Sequence, residues 1–172
     1  MCRYAITSYK AHLACFACRK GFKRRLQRDV DPAGDAHPAR CPQCGAPTAD
    51  MGLDFKPPGR SDTAGWATVA SLWEIGVTFH SCGCGGPGYR PRLQRDYLPF
   101  LLRLRADYQQ QLDAWRGDRR RPEERDRAMA HWRERLQAVE EELRRVGRST
   151  RVKAAARRAM SAHDETLRKL GR

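Results

Sequence analysis

The spacing of apolar side chains predicts short strands in the first third of the chain. Residues 9–13, 22–26 and 51–56 have strand-like composition and flank two tight turns, a pattern typical of antiparallel hairpins. Residues 28–40 are rich in aspartate, glycine and proline, which favour turns, so this segment is expected to form an exposed loop. The first third is therefore predicted to be a small sheet.

A helix is predicted after the third strand. Pro57 and Pro58 end the sheet, and either Ser61 or Asp62 can cap a helix that reaches about residue 75. Apolar side chains recur along it at spacings of three and four, and these are Trp66, Val69, Ala70 and Trp73. The two tryptophans are expected to pack against the sheet, and residues 77–80 to add one more short strand.

The second half has the periodicity of amphipathic helices. The first apolar stripe consists of Leu93, Tyr97, Phe100, Leu101, Leu104, Tyr108, Leu112 and Trp115. The second alternates steps of three and four, as a coiled-coil seam does, and consists of Met129, Trp132, Leu136, Val139, Leu143 and Val146. A polar break at residues 117–122 predicts an antiparallel helical hairpin. After Gly147, either Ser149 or Thr150 is expected to cap a separate last helix.

These patterns predict an α+β fold class, with short antiparallel strands and one short helix followed by a C-terminal α-helical hairpin. Composition supports a boundary near residue 90, because all seven cysteines precede it. The predicted divisions are residues 1–60, which hold the sheet, and residues 61–91, which hold the short helix, a strand and a glycine-rich loop. Residues 92–172 form the third division, of basic amphipathic helices.

Charge indicates the class of partner. The chain has 34 lysines and arginines against 20 aspartates and glutamates, a formal net charge of +14. Such a surface attracts polyanions, and nucleic acid is the partner that this charge favours. A genome rich in arginine codons is an alternative explanation for the scarcity of lysine, but it does not account for the surplus of positive charge.

Cysteine usage and hydropathy bear on the compartment. The residues after Met1 do not form an apolar leader, so the seven cysteines are expected to meet a reducing, cytoplasmic environment. The sequence contains no run of about 18 uncharged apolar residues, the length that a membrane-spanning helix needs. A membrane partner is therefore not expected.

Four of the cysteines form two CxxC pairs. Cys15 and Cys18 precede Cys41 and Cys44 by 22 residues, and each pair can offer two thiolates to one tetrahedral ion from a single tight turn. A redox function for either pair would require a βαβ context, which the surrounding glycine- and proline-rich sequence does not offer. The spacing therefore predicts a structural Zn²⁺ site.

This arrangement resembles the zinc-ribbon class over approximately residues 9–58, about a third of the chain. The resemblance implies two metal-binding turns at hairpin tips. Members of the class bind RNA, DNA, ribosomes, polymerases or other proteins, so the resemblance implies fold better than function. Four thiolates leave no coordination position for a reactive water, and the sequence shows no triad, phosphate-binding loop or carboxylate pair, so no enzymatic activity is expected.

Two basic segments are candidate nucleic-acid contacts. The first follows the first CxxC pair and contains Lys20, Lys23, Arg24, Arg25 and Arg28. The second is the glycine-rich stretch of residues 80–92, where backbone amides can approach phosphate while an aromatic ring stacks, and its candidates are Tyr89, Arg90 and Arg92. The alternative for this stretch is a simple connector between the strands and the helices.

Cys82 and Cys84 lie within the glycine-rich stretch. They either complete a second metal site, together with His80 and with Cys2 or His12, or serve as buried thiols.

Three functions remain open from the sequence. The first is RNA binding, with ribosome association as its expected setting. The second is a protein-interaction adaptor that uses the C-terminal helices. The third is a DNA-binding accessory of transcription, which lacks a visible helix-turn-helix signature.

Overall fold

The computed structural model describes residues 10–25, 39–81, 85–118 and 122–170, and for residues 150–170 it describes the helical backbone. Most of the predicted loop at residues 28–40 lies outside these ranges. So do Cys2, Arg28, Cys82 and Cys84, and the predictions made for them stay predictions.

A three-stranded antiparallel sheet forms the N-terminal part of the fold. Strand β1 (Lys10–Cys15) pairs on one side with β2 (Lys20–Arg25) and on the other with β3 (Ala49–Asp50), so the order is β2-β1-β3. Ala11, Leu13 and Cys15 alternate along β1 and are all buried, as expected for one face of a pleated strand. The predicted hairpin is therefore present.

The third strand is shorter than predicted and begins earlier. It ends at Asp50 instead of covering residues 51–56. Two residues later Gly52 has φ of +85°, in the left-handed region, which bends the chain away from the extended path of a strand. Met51 and Phe55 remain buried, so the apolar pattern here reflects core packing and not a strand.

The predicted strand at residues 77–80 is also absent. This segment lies beside residues 51–54, where the Phe79 amide donates to the Met51 carbonyl at 2.7 Å and the Asp54 amide donates to the Phe79 carbonyl at 3.3 Å. Because the bent segment around Gly52 cannot offer a regular row of partners, the two segments share only these bonds and not a ladder.

Helix α1 (Thr63–Glu74) matches the predicted short helix. Asp62 is its N-cap, since its carboxylate accepts from the Gly65 amide at 2.8 Å. Trp66 is buried, and its indole N–H donates to the Gly59 carbonyl at 3.0 Å. Trp73 was predicted to pack beside it, but this side chain is 38% exposed, and Leu72 is buried instead.

Two long helices make up the rest of the structure: α2 (Gln94–Gly117) and α3 (Pro122–Leu170). Pro122 is the first residue of α3, where its fixed φ suits a helix start. The two helices contact each other through Tyr108 and Trp132, whose ring centroids are 5.4 Å apart. Leu112 on α2 and Val139 on α3 are buried.

The predicted break after Gly147 is wrong, because α3 continues through it for 49 residues in all. A single glycine in a helix interior costs only about 1 kcal/mol relative to alanine. That cost is too small to interrupt a long helix that has favourable residues on both sides.

By its contacts the chain divides into two compact units, residues 1–100 and 101–172, with the boundary inside α2. The sheet followed by helices confirms the α+β class. The three-part division of the sequence stays a prediction. None of the helices in the described ranges is both long enough and apolar enough to cross a membrane.

Candidate metal centre and basic groove

The two CxxC turns bring four sulfur atoms together. Cys15 ends β1, Cys18 lies in the turn that follows it, and Cys41 and Cys44 lie in a second turn before β3. All four Sγ atoms lie within 4.8 Å of one another. The predicted ligands therefore converge, although 22 residues separate the pairs in sequence.

The distances between the sulfur atoms fit a tetrahedral ion. Cys15 Sγ is 3.6 Å from Cys44 Sγ, and Cys41 Sγ is 3.9 Å from Cys18 Sγ. An ion bound at about 2.3 Å from each sulfur requires neighbouring sulfurs to be about 3.8 Å apart, which is the geometry of zinc thiolate sites. The four cysteines can thus hold one metal ion.

The two turns have the same local geometry. In the first, the Cys18 amide donates to Cys15 Sγ at 3.4 Å, and in the second, the Gln43 and Cys44 amides donate to Cys41 Sγ. The residue after each pair has a left-handed backbone: Arg19 has φ of +51° and Gly45 has φ of +72°. Each turn therefore points backbone amides at a sulfur atom. Their hydrogen bonds spread the negative charge of the thiolate.

Hydrogen bonding and burial give the thiols unequal acidity. The amides of Cys44 and Gln43 lower the pKa of Cys41 to about 6, which favours the thiolate form of this sulfur. The hydrogen bond with the Cys44 side chain, followed by burial, raises the pKa of Cys18 to about 12, and burial raises the pKa of Cys15. A bound cation would favour the thiolate form of all four, because it supplies the positive charge that this cluster lacks.

An aromatic contact ties the first turn to α1. Phe16 lies between the first two cysteines, and its ring meets the ring of Trp66 edge to face with centroids 6.4 Å apart. The metal centre and the helix therefore share one core, together with buried Met51 and Leu72.

A groove of about 820 Å³ lies beside the sheet in the same unit, and we call it the basic groove. Four cationic side chains and one carboxylate line it, together with His12, and these are Lys23, Lys56, Arg90, Arg92 and Asp54. Its floor and walls include Phe55, Phe79, Pro57 and Pro87. The groove thus combines positive charge with apolar surface, while Phe55 and Phe79 are themselves buried beneath it.

Three elements build the basic groove. Lys23 comes from β2, directly opposite His12 on β1. The glycine-rich segment supplies the far wall, where Gly86 and Gly88 have φ of +71° and +75°. Arg90 is held in place by its Nε, which donates to the Thr78 carbonyl at 2.9 Å.

The groove unites the two basic segments that the sequence singled out, because Lys23 comes from the first and Arg90 and Arg92 from the second. Lys20, Arg24 and Arg25 are exposed on β2 but do not line it. Tyr89 is 56% exposed and lies next to Phe100, with ring centroids 6.2 Å apart.

Sequence reasoning missed His12, Asp54 and Lys56 as groove residues. The His12 ring Nδ1 is 3.1 Å from the Phe55 carbonyl, so this nitrogen carries a proton and donates it. Nothing in the local pattern marks these residues, because His12 on β1 meets Asp54 and Lys56 only once the chain bends back at residues 52–57.

His80, a proposed ligand of a second metal site, has other partners. Its Nδ1 is 2.9 Å from the Thr78 hydroxyl and its Nε2 is 3.5 Å from an Asp50 carboxylate oxygen. The thiols of Cys82 and Cys84 lie outside the described residues, so the second site stays a prediction.

No protein-family model, no curated protein and no solved structure matches this chain. Fold and site therefore define it by class alone: an α+β protein with a four-cysteine cluster that can bind a metal ion.

Proposed function

We propose that this protein is a nucleic-acid-binding protein whose N-terminal unit is held together by zinc, and that RNA is its target. The metal centre would be a zinc ribbon, since two turns with matching geometry each contribute two sulfurs. Its role would be structural, because four sulfur ligands leave no position for a reactive water. The function proposed is binding and not catalysis, in the cytoplasm, where thiolates stay reduced.

The basic groove is the observation that carries this proposal. Four cations and one carboxylate leave it with a surplus of positive charge beside apolar walls. Among the described residues, Lys23, Lys56 and Arg92 have no ion-pair partner, so these charges are available to phosphate. On the β1–β2 hairpin Lys10 stands directly opposite Arg25, and such like-charged pairs destabilise a sheet unless an anion offsets them.

The shape of the site favours a single strand of RNA over duplex DNA. A helix that enters the major groove is the usual reader of duplex DNA, whereas this site is a concave surface on a sheet and a glycine-rich loop. Single strands bind in positively charged grooves where bases meet aromatic or apolar surface. Association with ribosomes would follow from such binding.

A pair of double variants tests the proposal on the full-length protein with zinc bound. Lys23→Ala/Arg92→Ala removes two groove cations, and Arg60→Ala/Arg95→Ala removes two exposed cations that neither line the groove nor belong to the candidate contacts. We expect the groove variant to lose about tenfold or more in affinity for single-stranded RNA, measured by fluorescence anisotropy at fixed salt. The slope of log affinity against log salt should fall by about 1.4, which corresponds to two lost phosphate contacts on a single strand.

Equal losses in the two variants would contradict a defined groove site, and absence of salt-sensitive RNA binding would contradict the proposal as a whole. Copurification from cells with nuclease treatment provides a second measurement. Partners that survive nuclease would favour the protein-interaction adaptor instead.

A further inference from the structure

A second concave site lies in the helical unit. A cavity of about 520 Å³ is lined by Arg105, Glu140, Leu143, Arg144, Gly147 and Arg148. Arg105 comes from α2, and the other five come from successive turns of one face of α3. We call this site the arginine notch.

The charges of the notch are not balanced within the protein. Three arginines against Glu140 leave a formal charge of +2 at the site. In the described part of the chain, Arg105, Arg144 and Arg148 have no hydrogen-bond or ion-pair partner. Like charges held on one small surface repel each other, so an anion bound between them would be stabilised.

Arg145 provides a contrast on the same helix. Its Nε and Nη2 donate to the two carboxylate oxygens of Glu142, at 2.5 and 2.6 Å, and Glu142 is buried. Arg145 is itself exposed, and its guanidinium compensates the buried carboxylate of Glu142. Arg144, the neighbouring exposed residue, has no such carboxylate partner among the described residues.

Gly147 opens the notch. It lies in the interior of α3, and it is not among the glycines with positive φ. A methyl group added at its Cα would meet no atom within 4 Å, so packing does not require a glycine here. Since glycine weakens a helix, its presence is best explained by the space that it leaves beside the three arginines.

We propose that the arginine notch binds a phosphate group. Guanidinium groups pair with phosphate oxygens through two parallel hydrogen bonds, and arginines on two helices can approach one phosphate from different sides. The phosphate belongs either to a nucleic-acid backbone or to a small polyphosphate. This site is separate from the residues of the basic groove and does not depend on the function proposed for them.

The test uses the full-length protein with pyrophosphate and a single-stranded RNA oligonucleotide as probes. Arg144→Ala/Arg148→Ala removes two notch cations, and Arg127→Ala/Arg133→Ala removes two exposed cations of the same helix outside it. We expect the notch variant to lose about tenfold in pyrophosphate affinity by calorimetry, and the control to change by less than about twofold.

Gly147→Ala separates binding from folding. We expect it to raise the thermal midpoint of the helical unit, because alanine favours a helix, while it lowers pyrophosphate affinity about threefold or more by filling the notch. Circular dichroism at 222 nm verifies that each variant keeps its helices. Undiminished binding in this variant would overturn the role given to Gly147 and to the notch.

The two probes distinguish the sources of the phosphate. RNA affinity that falls in the notch variant assigns the site to a nucleic-acid backbone, whereas loss of pyrophosphate binding alone assigns it to a small polyphosphate. Pyrophosphate binding by the notch should persist in Lys23→Ala/Arg92→Ala, so failure of the groove proposal leaves this one standing. Absence of saturable binding for both probes, or equal losses in notch and control variants, would overturn it.

Discussion

At Gly52 both the backbone and the packing require glycine. Its φ of +85° lies in the left-handed region, and a Cβ would stand 2.3 Å from the His80 amide nitrogen and 2.5 Å from the Phe79 carbonyl carbon. Gly45 has a similar φ of +72°, but a Cβ there would meet nothing within 4 Å. A substitution at Gly45 therefore introduces backbone strain alone, whereas a substitution at Gly52 introduces both backbone strain and steric overlap.

We expect Gly52→Ala to lower the free energy of unfolding by roughly 2 kcal/mol or more, because strain and overlap act together. Gly45→Ala should cost only about 1 kcal/mol, the strain alone. Urea unfolding of the zinc-bound protein measures both. Similar losses in the two variants would show that the contact between Gly52 and residues 79–80 is not a tight one.

At the scale of elements, the cap of α1 shows what a sequence pattern leaves open. Both Ser61 and Asp62 are suitable N-caps by residue type, but only the Asp62 side chain reaches the amide three residues on. The Ser61 carbonyl accepts from the Thr63 amide, which is a backbone bond that any residue could make. The cap is thus decided by where the turn before the helix places each side chain.

Asp62→Ala is expected to lower the stability of the N-terminal unit by about 1 kcal/mol, because the Gly65 amide loses its acceptor. Ser61→Ala is the matched control and should leave stability within about 0.5 kcal/mol of the parent. Urea unfolding followed by tryptophan fluorescence, to which the buried Trp66 of this helix contributes, measures the change. A larger loss in the serine variant would contradict the capping assignment.

At the scale of the whole molecule, the four-cysteine cluster lies in one unit, and most of the two long helices lies in the other. The four cysteines lie in residues 1–100, where the strands contain only six, six and two residues. So small a sheet needs additional stabilisation, and the binding free energy of a structural metal contributes directly to folding. The helical unit contains none of these ligands.

We therefore expect the purified protein to contain zinc bound by the four-cysteine cluster, and Cys41→Ser/Cys44→Ser to lose it, by elemental analysis. In that variant the ordered environment of Trp66 should be lost while most of the helical signal at 222 nm remains. Cys82→Ser/Cys84→Ser is the matched control and should keep the zinc of this cluster. If Cys41→Ser/Cys44→Ser kept its full zinc content and a folded N-terminal unit, the zinc-ribbon proposal would fail.

The sequence by itself determined the α+β class, the short β1–β2 hairpin, the α1 helix and the four cysteines that cluster. These follow from local rules: alternation in a strand, spacing in a helix and the pairing of thiols across two residues. Each is readable because its physical cause lies within a few residues.

Only the tertiary structure decided the rest. It bent the chain at Gly52 in place of a longer strand, left Trp73 exposed, and carried α3 through Gly147. It also brought Lys23, Lys56 and Arg92 to one groove. Contacts between residues tens of positions apart depend on how elements pack, and no local pattern carries that information.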